Sequence, residues 1–220
     1  MKLYYKPGAC SLASHIVIRE AGLASALELV DTKAGKTRSG ADFKTINPKG
    51  YVPALELDDG QVLTEGAAIL PYLADRNPDA GLAPPAGTLD RTRLLEWLVY
   101  IATELHKGAY NPLFNPKAPD DWKQLLREAL ATKLDFVTRE LDGRPYLLGA
   151  RFSVADAYLF VVLRWSPRVG VDLGRWPLLA AYLERVGARP AVTSALAAER
   201  TGTDSTAGPP PPATGRSTPG

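Results

Sequence analysis

A single cysteine, Cys10, stands in the run Lys6-Pro7-Gly8-Ala9-Cys10-Ser11. Pro-Gly is a turn signal, and an amphipathic pattern begins at Ser11 or Leu12, so the thiol falls at or just before a helix start. Unpaired N–H groups and about half a positive charge collect at such a position and favour a thiolate. The functional reading is a reactive thiol or a thiol-binding site; the bland one is a small buried hydrophobe. No partner stands at Cys-x-x-Cys spacing, so any disulfide of Cys10 is made with an external thiol or another chain.

Three other places carry chemistry. Val52-Pro53 precedes an apolar run. Proline there is commonly an edge or turn device. A cis-proline facing a helix-borne thiol would instead free the N–H and C=O of residue 52 to pair with a peptide-like ligand as an added strand. Thr64-Glu65-Gly66 ends a strand and opens a helix. The N–H groups of Gly66 and Ala67 would suit a carboxylate, and Glu65 a ligand ammonium; equally, Glu65 is a favourable acidic residue at a helix start. His106 lies late in a long helical stretch, where a lone histidine is more often structural, and His15 inside the first helix is blander still. No Cys/His spacing fits zinc, and neither Gly-x-Gly-x-x-Gly nor a P-loop occurs.

These residues need elements to hold them. Residues 1–80 read as strand Lys2–Tyr5, a helix to Ala21 stopped by Gly22, strand Leu27–Val30, a polar loop Thr32–Gly40, a short helix Asp42–Ile46, strand Ala54–Leu57, an Asp-Gly hairpin, return strand Val62–Leu63, and a helix from Glu65 to about Arg76. That order predicts an α/β domain with a mixed four-stranded sheet. Pro78–Thr88 is rich in proline and glycine and marks a boundary, with residues 81–88 as linker. Residues 89–200 predict an all-α domain: a helix Leu89–Tyr110, a helix Asp120–Leu141 with Asp120 as N-cap, a capping box at Ser153 and Asp156 ahead of Ala157–Leu163, and helices opened by Pro177 and Pro190. Sixteen of the last 20 residues, 201–220, are Pro, Gly, Ser or Thr, which predicts a disordered tail with polyproline II character around Pro209–Pro212.

Composition narrows the function. The 220 residues are 45% hydrophobic and 23% charged, with net charge +2. That balance argues against a dedicated nucleic-acid binder, and no apolar run reaches the roughly 20 residues of a membrane span. One cysteine and an N-terminus without a signal-peptide pattern predict a cytoplasmic, reducing setting.

Taken in order, the strings MKLYYKPGACSLA (1–13), NPKGYVPAL (47–55), LTEG (63–66), EWL (96–98), IATELHKG (101–108) and FSVADAYL (152–159) resemble the cytosolic glutathione transferases, and within them the bacterial beta class. The match covers about residues 1–200. It implies a thioredoxin-like N-terminal domain, an all-helical C-terminal domain, a homodimer, glutathione as co-substrate without a metal, and a hydrophobic electrophile as the second substrate. Carried over by position, Cys10 and His106 are the catalytic candidates. Lys36, Tyr51, Val52, Glu65, Gly66 and Glu104 join them as glutathione-binding candidates, with Val52 pairing its backbone with the tripeptide and Glu65 and Gly66 holding its γ-glutamyl end. Glu104 is placed near the cleft or the dimer interface, and the Ser153–Asp156 box is assigned to stability. Tyr5 stands where other classes use a tyrosine that this class does not need. The electrophile pocket falls to the start of the long helix, Tyr110–Phe114 and Trp165. Three positions depart from the pattern: Gly35 replaces a common lysine, Tyr51 a glutamine and Val99 an asparagine. Loss of one charge-assisted contact costs about 1.5–3 kcal/mol, so weaker glutathione binding is expected unless Lys33 or Lys36 compensates. The implied activity is conjugation of the glutathione thiolate, with thiol–disulfide or peroxidase side activity through Cys10. The alternatives are a glutathione-dependent reductase, dehalogenase or isomerase, or a non-catalytic ligand carrier.

Overall fold

Strand β1 (Lys2–Tyr5) is the centre from which the first domain grows. Its side chains alternate between faces: Leu3 and Tyr5 enter the main core, whereas Tyr4 joins a second cluster with Val30, Phe43, Val52 and Ala54. The computed structural model describes residues 1–201. Helix α1 (Ser11–Glu20) is buried along almost its whole length and ends as the sequence signals. Gly22 adopts φ 62°, its N–H donates to the Arg19 carbonyl at 3.1 Å, and the Leu23 N–H donates to that of Ile18 at 2.9 Å. That is the Schellman closure, and its left-handed backbone favours glycine at position 22.

The crossover through α1 brings β2 (Ala26–Asp31) parallel to β1, with Leu3 opposite Leu27. β4 (Ala54–Glu56) lies antiparallel on the other side of β1, with Leu3 opposite Leu55, and β5 (Val62–Thr64) follows through the Asp58-Asp59-Gly60 turn. The four predicted strands are all present, and a fifth is added. Within the segment read as a loop, β3 (Lys36–Thr37) pairs antiparallel with β2, so the sheet order is β3-β2-β1-β4-β5. Two polar residues give no alternation to detect, which is why the period-2 signal missed them. Helices α2 (Phe43–Ile46) and α3 (Gly66–Asp75) complete the domain, with Asp42 capping α2 through the Lys44 N–H.

The second correction concerns the long helix. Helix α4 (Leu89–Tyr100) continues directly into ten residues of π-helix, Ile101–Tyr110, and then α5 (Asn111–Leu113). Gly108 explains how the wider turn packs. A Cβ there would lie 2.7 Å from the Thr103 carbonyl oxygen, so only glycine fits. Apolar spacing of three and four does not separate α from π over one such stretch, whereas π turns recur at functional sites.

Helix α6 (Asp120–Leu141) has the predicted span, but Pro119 occupies the N-cap and Asp120 is the first helical residue. Helix α7 (Val154–Leu163) is buried on every face and forms the spine of the helical domain. Its capping box forms as predicted, Asp156 accepting from the Ser153 N–H at 2.9 Å and hydroxyl at 2.7 Å. Asp156 also accepts from the Leu147 N–H and the Tyr182 hydroxyl, so one carboxylate ties α7 to α8 (Pro177–Gly187) and to the loop before it. Helix α9 (Pro190–Thr201) packs on α1. The predicted tail lies outside the described residues except for Thr201, which closes α9. Among the described residues no helix is long and apolar enough to cross a membrane.

Candidate functional site

The turn Lys6–Ala9 delivers Cys10 to the start of α1. The Ala9 N–H donates to the Lys6 carbonyl at 3.1 Å, and the Ser11 hydroxyl accepts from the Lys6 N–H at 3.1 Å, bracing the turn. The helical domain grips the same turn at Gly8. Trp165 Nε1 donates to the Gly8 carbonyl at 2.9 Å, and the Gly8 N–H donates to Glu199 of α9 at 2.9 Å.

Cys10 is the N-cap of α1, and its Sγ donates to the Val52 carbonyl at 3.3 Å. Placement at the helix start is as predicted; the ionisation is not. Burial pushes the Cys10 thiol up to about 11. The Lys107 charge and the backbone N–H groups of Cys10 and Ser11 pull the other way, but more weakly, and the Glu65 charge adds to the rise. The desolvation of the anion outweighs the helix terminus.

The Val52-Pro53 peptide is cis. Val52 packs with Tyr4 and Phe43 under the sheet, and its N–H meets no acceptor among the described residues. The loop ahead of it is fixed by Asn47, whose Nδ2 donates to the Tyr51 carbonyl at 2.7 Å.

At the mouth of α3, Glu65 has φ 68°, the one non-glycine residue with positive φ among those described. Such a backbone costs on the order of 1–3 kcal/mol and persists only where its surroundings enforce it. Here the Ala68 and Ile69 N–H groups donate to the Glu65 carbonyl. The side chain accepts from Lys49 Nζ at 2.7 Å and the Tyr51 hydroxyl at 2.6 Å, both on Oε1. The Lys49 bond, then that of Tyr51, holds the Glu65 carboxyl below the usual carboxylate range. A Cβ on Gly66 would meet the Tyr158 ring at 3.9 Å, ordinary contact, so close packing does not by itself demand glycine there.

The helical domain supplies the facing wall. His106 is buried on the π-helical segment; its Nδ1 lies 2.7 Å from the Tyr158 hydroxyl, and its ring stands edge-on to Trp165 at 5.0 Å. Trp165 also contacts the rings of Tyr110 and Phe114. Burial, aided by the Lys107 charge, lowers the His106 imidazole to about 4, against a smaller opposing pull from Glu65, so it is neutral at physiological pH. Lys107 Nζ sits 5.1 Å above the Tyr51 ring and bridges the two walls.

Cys10, Val52, Tyr51, Glu65 and Gly66 are thus brought together from the first domain, with His106 opposite. Four positions singled out in the sequence are not drawn in. Glu104 pairs with Lys133 of α6 instead of joining the cluster. Lys36 lies in β3, where it pairs with Asp31 and bridges Asp42, with its side chain exposed. Lys33 is exposed beside Gly35, whose φ is 69°, a backbone at which a lysine would be strained. Val99 is exposed on α4. Reading by residue type missed Lys49, Lys107 and Tyr158. Lys107 adjoins His106, a usable signal, but Tyr158 is 52 residues from its partner and nothing local marks it. Among the described residues no group of three or more His, Cys, Asp or Glu could hold a metal.

Comparison with known proteins bears on the whole arrangement. Residues 8–76 match the model of the glutathione S-transferase N-terminal domain, and residues 120–185 that of the C-terminal domain. The chain is 50% identical over 199 residues to glutathione S-transferase GstA of Escherichia coli O157:H7, covering 90% of this chain and 98% of the relative. Two solved structures superpose closely. The ternary complex of BphK, a bacterial glutathione S-transferase, shares 55% identity at TM-score 0.89, over 91% of this chain and all of that one. A sphingomonad glutathione S-transferase complexed with glutathione shares 49% identity at TM-score 0.88, over 91% of this chain and 99% of the other.

Proposed function

The chain belongs to the glutathione S-transferase family, with bacterial beta-class enzymes among its structural neighbours, and from that premise we propose that it binds glutathione between Val52 and the mouth of α3 and joins its thiolate to hydrophobic electrophiles. The observation that carries this reading is the convergence, at the start of α1, of a Val52 N–H left unpaired among the described residues beside a cis-proline, the Glu65–Gly66 helix mouth, and the His106–Lys107 pair from the other domain.

In this reading the Val52 N–H and C=O pair with the cysteinyl unit. Glu65 exchanges Lys49 or Tyr51 for the γ-glutamyl ammonium, and the Gly66 and Ala67 N–H groups take the carboxylate. The sulfur lies at the α1 N-terminus beside Lys107, with His106 donating a hydrogen bond, and all three favour the anion. The thiolate attacks carbon, a bond to a leaving group such as halide breaks, and the thiol proton passes to solvent. The electrophile lies against Phe114 and the exposed edge of Trp165, which the buried Tyr110 backs. A protonated Cys10 suits this chemistry: a neutral S–H beside the substrate sulfur can donate to it, whereas a second thiolate would repel it. A homodimer and a cytoplasmic setting belong to the same proposal.

The test separates the two sulfurs. Alkylation of Cys10 by iodoacetamide in the free protein is expected to be slow at pH 7 and to rise about tenfold per pH unit toward pH 11, because only the thiolate reacts. Conjugation of glutathione to 1-chloro-2,4-dinitrobenzene is expected to level off well below pH 9 and to survive Cys10→Ala. Conjugation that tracked the Cys10 titration, or vanished with Cys10→Ala in a folded protein, would overturn the reading.

A further inference from the structure

Both histidines are buried, and each has a hydrogen-bond partner that bears on where its proton sits. His15 Nε2 accepts from Arg19 Nε at 2.9 Å, and an arginine N–H can only donate. The His15 proton therefore sits on Nδ1, 3.3 Å from Glu199 Oε1. At His106 the logic reverses. The Tyr158 hydroxyl is buried, and its one partner among the described residues is His106 Nδ1 at 2.7 Å. Were Nδ1 to carry the proton and donate to the Tyr158 oxygen, the phenolic O–H would be left without an acceptor, at a cost of about 1–3 kcal/mol. The opposite arrangement satisfies the Tyr158 O–H and the His106 Nδ1 lone pair, and leaves the Nε2–H for the cleft.

We propose that Tyr158 is a positioning residue for the transfer reaction: its hydroxyl donates to His106 Nδ1 and so fixes the proton of His106 on Nε2. The proposal rests on the reading of His106 as the donor to the glutathione sulfur and names what makes it a donor. Nε2 makes no hydrogen bond among the described residues, and His106 keeps 7% of its surface exposed. Trp165, edge-on at 5.0 Å, and Tyr158, at 5.9 Å, hold the ring from two sides. The charges acting on the ring are Lys107 and Glu65, and both also act on Cys10, which places His106 in the field of the reactive cluster. With the imidazole neutral, the position of its single proton decides whether the residue donates to a thiolate or presents it with a lone pair.

Long-range proton–nitrogen correlation spectra of the uniformly nitrogen-15-labelled protein near pH 7 read this directly. One histidine is expected to be protonated on Nδ1 and the other on Nε2. Tyr158→Phe, which removes only the hydroxyl, should convert the second pattern to a mixture and leave the first. Two Nδ1-protonated histidines in the wild type, or a Tyr158→Phe spectrum with both patterns unchanged, would overturn the proposal. In steady-state conjugation Tyr158→Phe should lower kcat about tenfold, raise the apparent pKa of the pH profile by about one unit, and leave the KM for glutathione within twofold; an unchanged kcat and profile would refute the positioning role. If the wild type conjugated no glutathione, the functional reading would fall while the spectra still decided the tautomer.

Discussion

The two walls of the cleft are built on opposite principles. The wall from the first domain is half exposed and charged: Lys49, Tyr51 and Glu65 share hydrogen bonds at the mouth of α3, with Lys107 of the facing domain above the Tyr51 ring. The wall from the helical domain is buried and neutral: His106, Tyr158, Tyr110 and Trp165 meet through ring edges and single hydrogen bonds. Exposed ionic contacts are worth little to stability and can be exchanged for a ligand's charges at small cost. Buried neutral contacts fix geometry because nothing in their surroundings competes for them. The first wall is suited to recognition and the second to holding a donor still.

Substitutions can break this contrast. The largest effect is expected at Asp156→Ala, behind the helical wall. It would strand the Leu147 and Ser153 N–H groups and the Ser153 hydroxyl in a buried site, and leave the Tyr182 hydroxyl only its 3.2 Å bond to the backbone carbonyl of residue 156. A loss of about 3–5 kcal/mol follows from leaving several buried donors unpaired. Thermal unfolding should fall by about 10 °C, with a weakened or lost active fold. At the exposed wall the expected effect is on binding. Glu65→Gln should raise the KM for glutathione about ten- to a hundredfold, by loss of one charge-assisted bond, while changing the melting temperature by only a degree or two. A fall of 10 °C there would show that Glu65 is a structural element and erase the distinction between the walls. The smallest effect is expected at Glu104→Gln, which breaks a partly exposed pair with Lys133. Stability should change by less than about 1 kcal/mol. Glutathione KM measured on the same variant sharpens the contrast: unchanged within twofold, it keeps Glu104 outside the recognition wall.

Much of this was legible in the residues. Gly22, the Asp58-Asp59-Gly60 turn, Pro177, Pro190 and the Ser153–Asp156 box act through contacts a few positions apart, and each ended or opened an element where expected. The strings around Cys10, Val52, Glu65 and His106 carried the family. What stayed hidden was short, as with the two-residue β3, or periodicity-neutral, as with the π-helical Ile101–Tyr110.

The chemical states lay beyond the residues' reach for a different reason. A helix terminus predicts an acidic thiol at Cys10, and only the packing around it shows that burial overrides that tendency. Likewise a histidine in a helix predicts nothing about its charge, whereas the walls that Tyr158 and Trp165 build around His106 keep it neutral and hold its ring in place. Composition and local signals determined which groups are present and on which elements. Proton positions and charges are set by desolvation and by partners far away along the chain, and those exist only once the two domains have closed on each other.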